Sequence, residues 1–340
     1  MRILLDCRPL QKSGWGGDGF TAPEAERARL IFSAAADLSA MKEAAWVFVA
    51  TREYKGGFPL PGKLVFRRGL PGRAGYNWWY NRQIPRLARK EGVDLVWLTG
   101  GIAAGDCGVP QCVWMPERMD AAGVAVAVEG KIHVLPAFPE EGYGPLSLTE
   151  REKIKSEWTQ GKEYFLADLT GGGEAGVVDL LKSFSLFKNR QRSQMRLVLT
   201  GRIPETGRIR ERLSTYRYRQ DIDWPENPDA AGLRALTGGA YAVLFAFEQN
   251  GLGTPLLNAW KAGVPTIVPG GGLMEEMAGG AALGQAMGDP ASLAAQLMQI
   301  YKAEDQRKDL IGKGFERLNG YSRERFREVL RETLQGRATY

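Results

Sequence analysis

The sequence predicts an α/β protein built of two doubly wound parallel-sheet domains, and three observations carry that prediction. Apolar runs of strand length recur without alternation, as at Met1–Asp6, Asp94–Leu98, Met195–Thr200, Ala242–Phe247 and Val264–Val268. A strand that is apolar on both faces is covered on both, which is how a parallel sheet with flanking helices is built. Those runs alternate with helical stretches along the whole chain. Finally, 340 residues, 44% of them hydrophobic, are enough for two separate cores.

Taken in order, Met1–Asp6 is the first strand and Leu10–Phe20 the glycine-rich loop after it. Ala22–Ala40, rich in Ala and Leu with Glu24, Glu26, Arg27 and Arg29 at helical spacing, reads as an amphipathic helix. Trp46–Ala50 and Lys63–Phe66 read as strands. Tyr76–Gly92 reads as a helix that Pro85 must kink or split, because proline lacks the N–H of the helical ladder. Asp94–Leu98 and a segment around Gln111–Met115 are further strands, followed by KIHVLPAF with the single histidine, His133, read as structural. Residues 1–138 are thereby assigned to a first domain.

Pro136–Gly161 is the linker, rich in Pro and Gly and then helical, with a cap region around Thr149 and Arg151–Glu152. Residues 139–320 form the expected second domain: a strand at Tyr164, LVLTG at 197–201, helices at Ile209–Tyr216 and Asp229–Leu236, a short strand at Asp221–Trp224 between them, then the stretch Gly239–Leu283. Within that stretch, one helix separates the apolar runs Ala242–Phe247 and Val264–Val268, and glycine loops follow both runs. Ligands in parallel sheets bind beyond the carboxyl ends of the strands, where Gln249–Thr254 and Gly270–Gly272 fall. Helices at Pro290–Lys302, Asp305–Asn319 and Arg323–Leu334 complete the chain, the last with Ser322 as its N-cap.

Gly239–Leu283 resembles the donor-nucleotide half of GT-B glycosyltransferases, in particular the retaining glycosyltransferase family 4 (glycosyl transferases group 1). Pro255, Leu257, Ala259, Ala262, Gly263, Val264 and Pro265 match the family pattern, as do Gly270–Leu273, Glu276 and Gly279–Leu283. YFLADLTGGGEAGVVDLLKSF, from Tyr164, matches a second family motif at Phe165, Leu166, Thr170, Leu181 and Phe184. The resemblance implies two Rossmann-like domains facing each other across a cleft, an acceptor-side first half and a nucleotide-sugar-side second half, with residues 321–340 as a terminal helix returning to the first domain. Gly14 and Gly16 correspond loosely to a phosphate-proximal loop of the family. Of the implied donor-binding positions, Gly14, Gly16, Gly171, Gly172, Gly173, Glu174, Ala175, Asn250, Gly251, Thr254, Asn258 and Gly271 are the candidates here.

Four of these depart from the family. Glu174 and Ala175 stand where it carries an arginine and a lysine that offset the donor diphosphate, and Asn250 and Asn258 stand where it carries two glutamates. Pro116 and Glu117 occupy the acceptor-side His-Asp position, and the stretch from Arg118 to Lys131 lacks the family's helical insert. Glycosyl transfer from a nucleotide sugar builds negative charge on the leaving diphosphate and positive charge at the anomeric carbon, and each lost preorganised group of this kind costs roughly 10²–10³ in rate. Asn258 can still hydrogen-bond a ribose. No residue is assigned as catalytic; Glu248 and Arg202 are the rescue candidates for the lost carboxylate and cation. The triple glycines Gly171–Gly173 and Gly270–Gly272 read equally as anion cradles or as turns that permit close helix–strand packing.

Three functions stay open on these residues. One is a glycosyltransferase relative with a degraded donor site, non-catalytic or impaired, acting in or beside polysaccharide or glycoconjugate synthesis, with an active transferase as partner. The second is an active retaining enzyme with an unorthodox donor site. The third is a basic surface-binding module. The net charge of +6 suits anionic neighbours without choosing among them. Segment 52–90 holds ten Lys or Arg against Glu53 alone, so an anionic membrane surface is a possible partner of the N-terminal half; nucleic acid is set aside because no recognised motif accompanies the charge. No cofactor is expected beyond a weakly bound nucleotide or nucleotide sugar. One histidine excludes a histidine-built metal site, and Cys7, Cys107 and Cys112 form no CxxC pair. With neither an apolar span of 18 residues nor an N-terminal leader pattern, a cytoplasmic protein, peripheral at the inner membrane face, is the expectation.

Overall fold

A computed structural model of the chain describes residues 1–8, 22–50, 60–68, 72–99, 102–114, 123–128, 131–169, 172–201, 206–225, 228–247 and 253–334. The chain forms two compact units, Met1–Phe138 with the chain from Ser322 onward, and Pro139–Tyr321. Each is organised around one sheet.

In the first unit β1 (Arg2–Asp6), β2 (Ala45–Ala50), β3 (Gly62–Phe66), β4 (Leu95–Leu98), β5 (Gln111–Trp114), β6 (Gly123–Val128) and β7 (Lys131–Pro136) lie in the order β3-β2-β1-β4-β5-β6-β7. The first five are parallel, and β6 and β7 are antiparallel to their neighbours. The purely parallel sheet expected here is therefore mixed: only two residues separate β6 from β7, too few for a crossover. Around the sheet, α1 (Ala22–Ala40), α2 (Gly72–Trp78) and α3 (Ile84–Glu91) supply the helical layer. A π-helical turn, Trp79–Gln83, joins α2 to α3, and Pro85 falls in the first turn of α3. The break foreseen at Pro85 is absorbed by that π turn: the backbone at Trp78, Gln83 and Ile84 stays right-handed helical, and the Tyr80 carbonyl takes Gly105 N–H at 3.0 Å. Trp79, Ile84, Leu87, Val47, Val96 and Leu98 form the core.

The second unit starts with α4 (Leu148–Thr159), capped by Ser147 and not at Thr149. The Ser147 hydroxyl accepts from Glu150 N while the Glu150 carboxylate takes Ser147 N–H at 2.8 Å, a full capping box. The chain then alternates β8 (Tyr164–Asp168), α5 (Glu174–Gln191), β9 (Arg196–Thr200), α6 (Thr206–Thr215), β10 (Ile222–Asp223), α7 (Ala230–Gly239), β11 (Ala242–Leu244), α8 (Thr254–Lys261), β12 (Thr266–Pro269), α9 (Leu273–Ala278) and β13 (Leu283–Gln285), closing with α10 (Pro290–Lys302) and α11 (Glu304–Arg317). All six strands are parallel, in the order β10-β9-β8-β11-β12-β13. That is the 3-2-1-4-5-6 order of a dinucleotide-binding sheet, whose ligand crevice opens where the order reverses, here between β8 and β11. Phe165, Phe184, Phe187, Leu199, Leu244 and Ile267 fill the core beneath it.

The last helix, α12 (Arg323–Leu334), belongs to the first unit. The Ser322 hydroxyl accepts from Arg325 N at 3.0 Å to cap it. Phe326 meets Phe138 edge-on at 5.2 Å, and two bidentate pairs, Arg323 with Asp37 and Arg331 with Glu43, fix its face on the sheet unit.

Candidate functional site

Because the six strands of the second sheet run parallel, the loops after β8, β11 and β12 emerge at one end, at and beside the switch point. Gly172, Gly173, Glu174, Ala175, Thr254, Asn258 and Gly271 are carried there or on the helices that follow. Gly14, Gly16, Gly171, Glu248, Asn250 and Gly251 lie outside the described residues, as do Arg202, Pro116 and Glu117.

The loop after β8 is occupied by the protein itself. Gly172 N–H donates to Leu169 O at 3.0 Å. A side chain at Gly172 would collide with the Phe247 ring, and a Cβ at Gly176 would come within 2.7 Å of the same ring. Phe247, 7% exposed, has left the strand that ends at Leu244 and turned its ring onto the glycine loop across the switch point. Gly172 is glycine because that ring lies on its α-carbon. Gly173 differs: among the described residues nothing lies within 4 Å of its would-be Cβ, and as N-cap it brings no side chain to the first turn of α5. That turn is an uncapped helix N-terminus, with its partial positive charge.

Glu174 and exposed Ala175 open α5. The Glu174 carboxylate accepts from Arg212 Nε at 2.6 Å and lies 3.8 Å from Arg208 Nη1, both on α6. The Glu174 charge is thus balanced inside the unit by two arginines from the neighbouring helix.

Downstream, Gly253 adopts φ 75° before α8, and a Cβ there would strike the Met277 sulfur. Thr254 begins the helix, 2% exposed, with Pro255 in its first turn. Asn258, one turn on, is 5% exposed, and its Oδ1 accepts from Glu140 N at 2.8 Å. Lys261 Nζ donates to Glu140 O at 3.0 Å. Burial first, then the nearby Glu140 charge, pushes the Tyr143 hydroxyl up to about 12. Asn258 is therefore a clamp between α8 and the segment that opens the unit.

The second glycine loop has also spent its amides. Gly270 N–H donates to Gln285 O at 2.8 Å and Gly271 N–H to Glu275 Oε2 at 2.7 Å. With φ 80°, Gly271 needs to be glycine. Glu275, placed on α9 four residues on, fills the anion position of its own loop. Sequence reasoning missed Glu275, although an acidic residue in the first turn after a glycine loop is a capping signal; it also missed Phe247 and the α6 arginines. Among the described residues no cluster of His, Cys, Asp or Glu could hold a metal ion, and no helix is long and apolar enough to cross a membrane.

A second cluster lies at the carboxyl end of the first sheet. Asp6 ends β1 fully buried; its Oδ1 accepts from Arg8 N at 3.1 Å and its Oδ2 from Trp79 Nε1 at 3.3 Å. Burial raises the Asp6 carboxyl above its ordinary range, against the lowering pull of the Arg8 N–H. Thr99 Oγ1, just past β4, donates to Asp6 O at 2.7 Å. The Arg8 guanidinium lies over the rings of Tyr76, Trp79 and Tyr80 at 4.8, 4.9 and 5.1 Å.

The fold agrees with what the chain resembles. Residues 149–317 match the family described as Glycosyl transferases group 1, so the second unit carries that family's domain, and the chain as a whole has the GT-B glycosyltransferase fold. A glycosyltransferase from Rickettsia africae ESF-5 superposes with TM-score 0.73 at 12% identity, over 98% of each chain. HepE of Anabaena, solved in complex with UDP and glucose, superposes at 0.66 and 11% identity, over 99% of this chain and 100% of its own. WaaG, a glycosyltransferase involved in lipopolysaccharide biosynthesis, gives 0.62 at 11% identity, over 98% and 100%. Compared with the curated proteins, the sequence matches none.

Proposed function

We propose that the protein is a glycosyltransferase relative that binds a nucleoside diphosphate or nucleotide sugar weakly in its second unit and is impaired or inactive in the family's usual transfer. On this reading it acts in the cytoplasm, in or beside polysaccharide or glycoconjugate synthesis, next to an active transferase. The observation that carries the reading is the fate of Asn258: the position that would grip the ribose is buried and committed to Glu140 N–H. Three supporting features point the same way. Glu174 puts a carboxylate at the helix N-terminus that a diphosphate would approach, Gly271 N–H is held by Glu275, and the Phe247 ring covers Gly172. Basic α3, with Arg86, Arg89 and Lys90, supports an anionic membrane surface as a further contact of the first unit.

A second reading, an active enzyme with an unorthodox donor site, draws on Arg208 and Arg212, which bring two cations to the first turn of α5. Calorimetric titration with UDP and UDP-glucose, the ligands of HepE, together with UDP-glucose hydrolysis at high protein concentration, separates the two. Weak binding without turnover supports the first. Turnover that disappears in Asn250→Ala refutes it.

A further inference from the structure

The first unit repeats the switch-point logic of the second. From β1 the chain runs outward through β2 and β3, then returns to lay β4 on the other side of β1. The crevice of such a sheet opens beyond the carboxyl ends of the two strands flanking the reversal. Asp6 ends β1 there with Arg8 two residues on, Thr99 follows β4, and the Thr99–Asp6 hydrogen bond of 2.7 Å ties the two ends together.

What stands at this point, among the described residues, is a cation without a carboxylate on its donors. The Arg8 guanidinium makes no hydrogen bond or ion pair within 4 Å with the described residues. Three aromatic rings cover it instead, and ring faces attract a cation without consuming its in-plane N–H groups. Asp6, the acid nearest in sequence, uses its oxygens on Arg8 N and Trp79 Nε1. Trp79 and Tyr80 are presented by the π-helical turn Trp79–Gln83, a departure from the α-helix that recurs at functional sites. A guanidinium held over aromatic rings leaves N–H donors that fit two oxygens of one group.

We infer that the switch point between β1 and β4 is an oxyanion-binding site anchored by Arg8, with Asp6 as the positioning residue that sets Trp79 and the Arg8 backbone. The ligand chemistry is a phosphate or a carboxylate. As the group on the acceptor-side unit, Arg8 selects an acceptor that carries such a charge; that last step rests on the glycosyltransferase reading, whereas the anion site does not.

The test is a titration of the ¹⁵N-labelled full chain with inorganic phosphate, with acetate, and with chloride at matched ionic strength, following the Trp79 indole N–H resonance assigned through Trp79→Phe. Saturable shifts with phosphate or acetate but not chloride are expected, and whichever saturates at the lower concentration identifies the class. Arg8→Gln is expected to weaken that binding at least tenfold, with Arg8→Lys in between. Should Arg8→Gln fail to fold, Arg8→Lys and the chloride control still decide. Shifts that chloride reproduces, or a dissociation constant unchanged in Arg8→Gln or in Arg8→Lys, overturn the inference. UDP affinity of the wild-type chain is scored separately by calorimetry, so failure of the nucleotide reading leaves the phosphate result standing.

Discussion

Asn258→Ala separates a clamp from a ligand contact. The substitution removes the acceptor of a 2.8 Å bond from Glu140 N. A buried donor left without its acceptor costs about 1–3 kcal/mol. Glu140 is only half-buried, so water partly replaces the lost oxygen and the lower part of that range applies, about 1–2 kcal/mol. For a unit of this size each kcal/mol lowers the melting temperature by roughly 2–4 °C, so Asn258→Ala should melt about 2–8 °C below wild type. Asn258→Asp, which keeps an oxygen at the same position, should recover much of the loss only at acidic pH, where its carboxyl is neutral. Asn258→Glu should not: the longer side chain brings a charge into a site 5% exposed, beside Glu140. Differential scanning calorimetry gives the melting temperatures, and calorimetric titration with UDP gives the second axis. An Asn258→Ala variant that melts with wild type but binds UDP tenfold more weakly would refute the clamp and restore a ribose-binding role.

Three other outcomes follow from the same geometry. Gly172→Ala drives a Cβ into the Phe247 ring and should destabilise by about 1–3 kcal/mol in urea titrations, an overpacking cost that Gly172→Ala with Phe247→Leu relieves. Glu174→Gln breaks a mostly exposed ion pair and should change stability by less than about 1 kcal/mol while releasing Arg212 and Arg208, so UDP should bind more tightly; weaker binding would show that the carboxylate helps hold the ligand. Asp6 titrates higher folded than unfolded, so its contribution is fully present below its unfolded pKa and is lost as pH rises through the folded one. Asp6→Asn should therefore gain in melting temperature relative to wild type from pH 4 to pH 7.5; parallel curves would show that Asp6 does not titrate in this window.

The α/β class was legible because strand burial on both faces leaves a composition signature: Ile3, Leu4 and Leu5 are fully buried, and Ala242, Val243 and Leu244 nearly so, with no polar residue among them. Strand order leaves none, since β8 lies between β9 and β11 through contacts that no local pattern records. The antiparallel β6–β7 hairpin could have been read from its two-residue connection. Phe247 was read as strand because it is apolar, but apolarity does not distinguish a residue in the ladder from one that leaves it to cover a glycine. Glu140 lies 118 positions from Asn258, so the partner that redefines Asn258 was beyond any motif. The charge at Glu174 was visible, whereas its compensation by Arg212, 38 positions on, required the packing of α6 beside α5.

The two glycine loops look alike in sequence and differ in what they can still offer a ligand. At Gly270–Gly272 two amides are already bonded, one to Gln285 O and one to a carboxylate. A diphosphate reaching Gly271 N–H must displace Glu275, which exchanges one charge-assisted bond for another and gains only the difference. At Gly172–Gly173 the turn amide of Gly172 is also spent, yet among the described residues the first turn of α5 has neither a side-chain cap nor a neighbour over its N-cap. Among those residues an incoming anion gains the helix terminus without displacing a protein group, and meets one obstacle, the Glu174 carboxylate. Since Arg212 and Arg208 already draw that carboxylate toward α6, the balance at this end is set by two exposed ion pairs worth little individually. Whether the second unit holds a nucleotide therefore turns on α5 and α6 rather than on the loop after β12 that first suggests it.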